Sequence, residues 1–254
     1  MKNYHTHTKR CQHAIGSEEE YILEAIKGGY SELGFSDHTP WHYDSLFVPF
    51  MRMKDTQLDD YVHTLRKLRE KYKDKISIKI GLEVEYFERY LPWLKQQLKD
   101  KEIDYIILGN HYDGSDEFGI YYGSPIGYQS FIKYINQCMK AIDTGLFSYI
   151  AHPDLARFNE NDYRYVKEYT RLCEHAKAKD IPLEFNLLGF KGQRHYPNPV
   201  FWNIVSKVGN KVIIGTDAHE PYRLSDVDTY NKAKEYLQTL NIEVIEDISF
   251  LKKQ

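Results

Sequence analysis

Short apolar runs alternate with longer segments whose apolar residues recur every three or four positions, and the alternation persists along the whole chain. A short first strand ends in the pair His5 and His7. Ser17 and Glu20 have capping-box spacing. Tyr21, Ile22, Ala25 and Ile26 then share one helical face until Gly28-Gly29 stops the helix. A second strand over 32–36 leads directly into Asp37-His38. An aromatic- and proline-rich connection over 39–53 follows, and Leu58, Tyr61, Leu65, Leu68 and Tyr72 mark the next helix.

The pattern then repeats. A third strand over 76–82 runs into Glu83-Val84-Glu85, and a helix is predicted over 91–98. A fourth strand over 105–108 ends at Gly109-Asn110-His111, before a helix carrying Phe131, Ile135, Met139 and Ile142. The fifth strand, 147–151, delivers His152-Pro153-Asp154, and Val166, Tyr169, Leu172, Cys173 and Ala176 form the next helical face. The sixth, 181–185, contains Glu184 and ends at Asn186. Asn198-Pro199 opens another helix in the N-cap and N1 roles, and Gly209 closes it. The seventh, 212–214, delivers Gly215-Thr216-Asp217-Ala218-His219. A last helix ends near Leu240, and 242–245 reads as a peripheral strand.

Seven β-α repeats imply a parallel sheet, and that many units favour closure into a barrel over an open doubly wound sheet. The 254 residues agree with the ~250 typical of such a barrel. No linker, low-complexity tract or charge block divides the chain, so one domain over 1–254 is expected. The net charge of −3 shows no basic excess of the kind a nucleic-acid binder carries. No apolar run approaches the ~20 residues of a membrane span, and the polar, histidine-rich start is unlike a signal peptide. The cysteines Cys11, Cys138 and Cys173 are odd in number and widely spaced, which argues for a reducing compartment; the cytoplasm is the expectation.

What changes the picture is where the histidines fall. In an extended segment side chains alternate, so His5 and His7 point the same way and can share one metal ion. His5, His7, Asp37, His38, Glu83, His111, His152, Asp217 and His219 all lie at predicted strand ends, with His13 in the first loop. In a (β/α) barrel those ends converge on one face, where the chemistry is done. One strand-end histidine is an ordinary hydrogen-bonded loop residue. Seven of eleven histidines in such places point to a metal cluster.

The segments H-T-H-T, C-Q-H-A-I-G, F-S-D-H-T-P, G-L-E-V-E-Y, G-N-H-Y, A-H-P-D and G-T-D-A-H follow one another from Tyr4 to His219. Together they resemble the polymerase and histidinol phosphatase (PHP) family, most of all its stand-alone histidinol-phosphate phosphatases. The resemblance implies an α/β fold of the distorted (β/α)7 TIM-like barrel type, the PHP fold, holding three divalent ions. By position, His5, His7, Glu83 and Asp217 would hold one ion. Glu83 would bridge to a second, completed by His111 and His152, and His13, His38 and His219 would hold the third. No cysteine is on this list, so imidazole and oxygen donors suit Zn, Mn or Fe. Closely spaced ions activate water for in-line attack and neutralise entering and leaving oxygens, which suits a phosphate dianion.

Around this set, Asp37 is a candidate to orient an imidazole or take part in proton transfer, against the plainer role of a strand-end cap. His42 is a candidate to protonate the leaving alkoxide and touch the substrate. Arg157 and Arg194 follow strands on the same face, and their guanidinium forks suit phosphate oxygens; Lys191 is a weaker candidate. Asp113, Asp116, Glu117, Tyr121 and Tyr122 are placed to form a rim for an amine and an imidazole. Glu85 and Glu184 read as partners behind the ligands or as interior charges, while His63 and His175 fall within helices and receive no role. The expected activity is hydrolysis of L-histidinol phosphate in histidine biosynthesis, on a small phosphate monoester, with no nucleic acid and no membrane. The alternatives are a phosphoesterase or exonuclease acting on nucleotides or DNA ends, and a non-catalytic metal-binding module.

Overall fold

The computed structural model describes residues 1–252. Strands β1 (Lys2–Asn3), β2 (Glu32–His38), β3 (Ser77–Val84) and β4 (Tyr105–Leu108) form a parallel sheet in that order. Strands β5 (Leu183–Asn186), β6 (Val212–Gly215) and β7 (Val244–Ile245) form a second. Ile150 joins the two, pairing in parallel with Leu108 on one side and Leu183 on the other. At the opposite edges the chain beyond β1 meets the chain beyond β6. His7 N–H donates to the Ala218 carbonyl at 3.0 Å and Ala218 N–H to the His5 carbonyl at 3.2 Å. The parallel sheet is therefore curled, and the two edges touch at its C-terminal end.

The fifth strand expected over 147–151 is reduced to that single bridge at Ile150. The cause lies opposite it. Ile150 N–H donates to the Pro182 carbonyl at 3.1 Å, but Pro182 has no N–H to return toward Ser148, so the ladder cannot extend downward. Upward it ends where His152 turns into the left-handed region, with φ of 30°. The continuous seven-stranded ladder expected from the repeats is thus interrupted here, while the peripheral strand expected over 242–245 forms at Val244–Ile245 and pairs in parallel with β6.

Helices α1 (Glu18–Lys27), α2 (Leu58–Tyr72), α3 (Leu91–Asp100), α4 (Tyr128–Asp143) and α5 (Tyr163–Ala178) follow successive strand segments. After β5 come a short α6 (Leu187–Lys191) and α7 (Pro199–Val208), and α8 (Val227–Thr239) follows β6. The capping box of Ser17 and Glu20 is formed, and Gly209 closes α7 with a φ of 75°. The helix α6 escaped periodicity because five residues span little more than one turn. Apolar faces of the helices pack with Ile106 and Leu108 in the main core. The intervening Tyr105 and Ile107 join Tyr4, Tyr149, Ala151 and Ile213 in a separate cluster. Alternate residues of β4 thus bury themselves on opposite faces of the sheet, and the second cluster fills the inside of the curl. Among the described residues no helix is long and apolar enough to cross a membrane.

Candidate active site

At the C-terminal ends of the strands the chain gathers seven imidazoles and two carboxylates. His5 and His7 arrive from the segment beyond β1, His38 and Glu83 from β2 and β3, His111 from beyond β4, and His152 from the turn after Ile150. Asp217 and His219 follow β6. Glu83, Asp217, His5, His7, His38, His111 and His152 are buried, whereas His219 is half-buried and His13 stands at the mouth.

Glu83 divides its two oxygens between two nests of nitrogens. Oε1 lies 2.8 Å from His152 Nε2 and 3.4 Å from His111 Nε2. Oε2 lies 3.5 Å from His7 Nε2, 3.6 Å from His5 Nε2 and 2.9 Å from His38 Nδ1. Asp217 Oδ1 faces the same pair, 3.2 Å from His7 Nε2 and 3.5 Å from His5 Nε2. His13 and His219 bring their Nε2 atoms to 2.9 Å of each other.

The rings are oriented from behind. His5 Nδ1 lies 2.7 Å from Glu184 Oε1, and His111 Nδ1 lies 3.2 Å from Glu85 Oε1. A proton held at each Nδ1 leaves the Nε2 lone pair aimed at the centre of the cluster, the arrangement that ligating imidazoles adopt. Glu184 Oε2 also accepts from His152 N–H and from Asn186 Nδ2, both at 2.9 Å. Glu85 is itself held by the fully buried Arg52, at 2.7 Å and 3.0 Å.

Burial would raise the Glu83 carboxyl, but His38, His111 and His5 hold it well below the usual range. Asp217 is likewise pushed up by burial and held far down by His5, His7 and His219. Burial takes His38 down to about 4, which leaves the ring neutral and able to donate a lone pair. Burial opposes the charge on His5, His7 and His152, but the neighbouring carboxylates raise all three rings. Once those rings give up their protons, the converging lone pairs and two ionised carboxylates form a donor set that fits divalent cations. The backbone is held to this purpose as well. His152 and Asp217 are non-glycine residues at φ of 30° and 50°, a left-handed conformation that persists only where the surroundings impose it. A Cβ on Gly109 would lie 2.0 Å from Glu83 Oε1, and one on Gly215 would lie 1.8 Å from Glu184 Oε1. Both positions exclude any side chain so that a carboxylate can pass.

Residues 3–187 match the model of the PHP domain. The chain belongs to the PHP family. A curated relative from Deinococcus radiodurans, named "Probable histidinol-phosphatase", is 28% identical over 228 residues, covering 85% of each chain. The histidinol-phosphatase of Lactococcus lactis is 23% identical over 237 residues, covering 85% of this chain and 83% of the relative. The crystal structure of histidinol phosphate phosphatase from Lactococcus lactis, complexed with zinc, L-histidinol and phosphate, superposes with a TM-score of 0.74 at 21% identity. That superposition covers 99% of this chain and 98% of the other, and it establishes the fold.

In this PHP domain the cluster opens into a cavity of about 390 Å³. Arg194 lines it, with Nη1 donating to Tyr196 Oη at 2.9 Å. The other sequence candidates for substrate contact lie elsewhere. His42 is exposed outside the cavity lining, and its Nδ1 is taken by Asp55 at 2.7 Å; the proline-rich connection turns it outward. Arg157 is also exposed and off the lining, because its own N–H and carbonyl are tied to Tyr122 and Ile126 in the loop backbone. Asp37 lies behind His7, 3.5 Å from its Nδ1, and accepts from the Thr8 and His38 amides. It is buried and does not line the cavity. Of the rim candidates only Tyr121 reaches the lining; Asp116 instead binds Arg52 and Tyr43. Lys191 pairs with Asp226 at 3.3 Å.

Four participants have no signal in the chain pattern. Glu220 and Arg223 line the cavity from the 3-10 turn Pro221–Ser225 and its N-cap. Arg52, in the connection after β2, is fully buried. The Cys11 sulfur and one donor nitrogen each of His13 and His219 lie within 4.8 Å of one another.

Proposed function

We propose that this chain is a metal-dependent phosphomonoesterase that hydrolyses L-histidinol phosphate to L-histidinol and inorganic phosphate. We read it as one distorted (β/α)7 barrel over residues 1–254, with three divalent ions at its C-terminal face. The observation that carries the reading is the divided Glu83 carboxylate, whose two oxygens serve separate groups of imidazoles. A carboxylate so placed is suited to bridging two cations.

In this reading His5, His7, Glu83 and Asp217 hold the first ion, and Glu83, His111 and His152 the second. His13, His38 and His219 hold the third. Such ions supply Lewis acidity and an activated water for attack in line with the ester oxygen. The chain's own residues do the rest. Glu184 and Glu85 fix the rings of His5 and His111, and Asp37 backs His7. Arg194 and Arg223 offer guanidinium groups to the phosphate oxygens from the cavity wall. Ile15, Met51, Leu155 and Leu188 give the same wall an apolar side suited to the carbon skeleton of a small substrate. The names of the relatives support histidinol phosphate as that substrate. All three cysteines are free and buried, in keeping with a reducing cytoplasm.

The test is phosphate release from L-histidinol phosphate beside a panel of nucleotides and sugar phosphates, with metal content determined on the same sample. A strong preference for histidinol phosphate supports the reading. Uniform weak release across the panel makes the chain a general phosphoesterase, and no release from metal-loaded protein makes it a binding module.

A further inference from the structure

We propose that Glu220 is the residue that recognises the substrate's ammonium group, and that with the adjacent Arg223 it selects phosphate esters carrying an amine beside the ester carbon. This rests on the histidinol-phosphate reading and names how that site chooses its substrate.

Three carboxylates line the cavity: Glu83, Asp217 and Glu220. The first two face imidazoles on the floor, at the distances given above. Glu220 is left as the acid that looks onto the open space. One of its oxygens is already committed, since Oε2 accepts from Tyr222 Oη at 2.6 Å and from Arg223 Nε at 2.9 Å. Among the described residues Oε1 accepts no hydrogen bond. The same pairing consumes only the Nε of Arg223 and leaves its two terminal nitrogens for an anion.

The segment that presents this pair is fixed. Glu220 caps the turn Pro221–Ser225, and Pro221 sets its first position. That turn is seated on α1 so closely that a Cβ on Gly28 would lie 2.3 Å from the Leu224 carbonyl oxygen. A charged group held in advance loses little freedom when it binds.

The chemistry of the substrate asks for this neighbourhood. In L-histidinol phosphate the ammonium sits on the carbon next to the one bearing the ester oxygen. A site that holds the phosphate and reads the amine must therefore place a carboxylate beside a phosphate-binding cation. Glu220 and Arg223 are such a pair, one and four residues beyond His219 in the chain. A polar group built to meet a substrate charge rejects analogues that lack it far more strongly than an apolar wall does.

The experiment uses the metal-loaded protein and its Glu220→Gln variant, with kcat and KM measured on L-histidinol phosphate and on p-nitrophenyl phosphate, which has no amine. Metal content is determined for both proteins. The expected result is that kcat/KM for histidinol phosphate falls about tenfold or more relative to that for p-nitrophenyl phosphate, chiefly through KM. Equal losses on both esters, or no loss on either, overturn the assignment. Should the variant not fold, wild-type protein is compared on L-histidinol phosphate and its deamino analogue, imidazolylpropyl phosphate; equal kcat/KM again overturns it. Wild-type protein that cleaves p-nitrophenyl phosphate but not histidinol phosphate overturns the function reading itself, and the role of Glu220 with it.

Discussion

The Nε2 atoms of His13 and His219 stand 2.9 Å apart, while the Nδ1 of His13 lies 2.8 Å from the Cys11 carbonyl and that of His219 lies 3.1 Å from the Asp217 carbonyl. A carbonyl can only accept, so both Nδ1 atoms carry the proton and both Nε2 atoms present lone pairs to each other. Two acceptors at this distance repel unless a proton or a metal cation sits between them, and a pair of lone pairs that can share the one is suited to share the other. Removing metal with a chelator is therefore expected to abolish phosphate release and lower the Tm, because an ion that binds only the folded chain stabilises it by mass action. His219→Ala should lose bound metal by elemental analysis. Full metal content in that variant would refute a cation at this pair.

Glu83 and Glu184 differ in what they touch, and their variants should differ accordingly. Glu83→Gln replaces an oxygen that faces one group of imidazoles with an amide nitrogen that repels the cation there, so turnover should vanish with loss of metal. Glu184 touches His5 only through Nδ1. Glu184→Gln should cost about 10–100-fold in metal affinity or activity, as expected for a partner behind a ligand. Titration of the depleted proteins with zinc separates the two cases.

Arg194 and Arg223 reach the cavity and Arg157 does not. Arg194→Ala and Arg223→Ala should each raise KM for phosphate esters about tenfold, roughly the strength of one charge-assisted hydrogen bond, with metal content intact. Arg157→Ala and His42→Ala should stay within about twofold of wild type, as surface changes do. A large kcat loss in His42→Ala would mean that the 39–53 connection closes over the substrate.

Gly109 tests whether space, and not only charge, holds the site. Its Cβ would lie 2.0 Å from Glu83 Oε1, so Gly109→Ala must displace the carboxylate. The variant should keep its far-ultraviolet circular dichroism and lose metal and turnover together. Retained metal would show that the loop after β4 yields instead.

The cluster residues were legible because all but His13 fall at the C-terminal end of a predictable element. Glu83 and His111 close apolar runs, and Asp217 follows one at a glycine, so period and position alone bring them to one face. Glu220 and Arg223 offer no such handle. They belong to an irregular turn whose sequence, Glu220-Pro221-Tyr222-Arg223, reads as surface. Arg52 was hidden for a related reason: a loop arginine is ordinarily solvated, and only the fold brings Glu85 and Asp116 to it. The fifth strand failed locally, at the missing N–H of Pro182, which the apolar pattern cannot register.

Asp154, two residues beyond His152, supplies a dependence on pH of its own. It is buried, and its Oδ2 accepts from Asn198 N–H at 2.6 Å and Trp202 Nε1 at 3.2 Å. Burial pushes its carboxyl up from 3.8 to about 7, against the Asn198 donor, the nearby His152 ring and the Trp202 donor. The folded chain therefore keeps a proton that the unfolded chain has already released, and stability falls as pH rises from about 4 through 7, by at most a few kcal/mol. Asp154→Asn retains an acceptor for both donors and never ionises. Its Tm relative to wild type should rise progressively between about pH 4 and pH 7 and level off above that, as the wild-type carboxyl ionises. A difference that stays flat across this range would mean that Asp154 ionises in the folded chain without cost, with the Asn198 and Trp202 donors outweighing its burial.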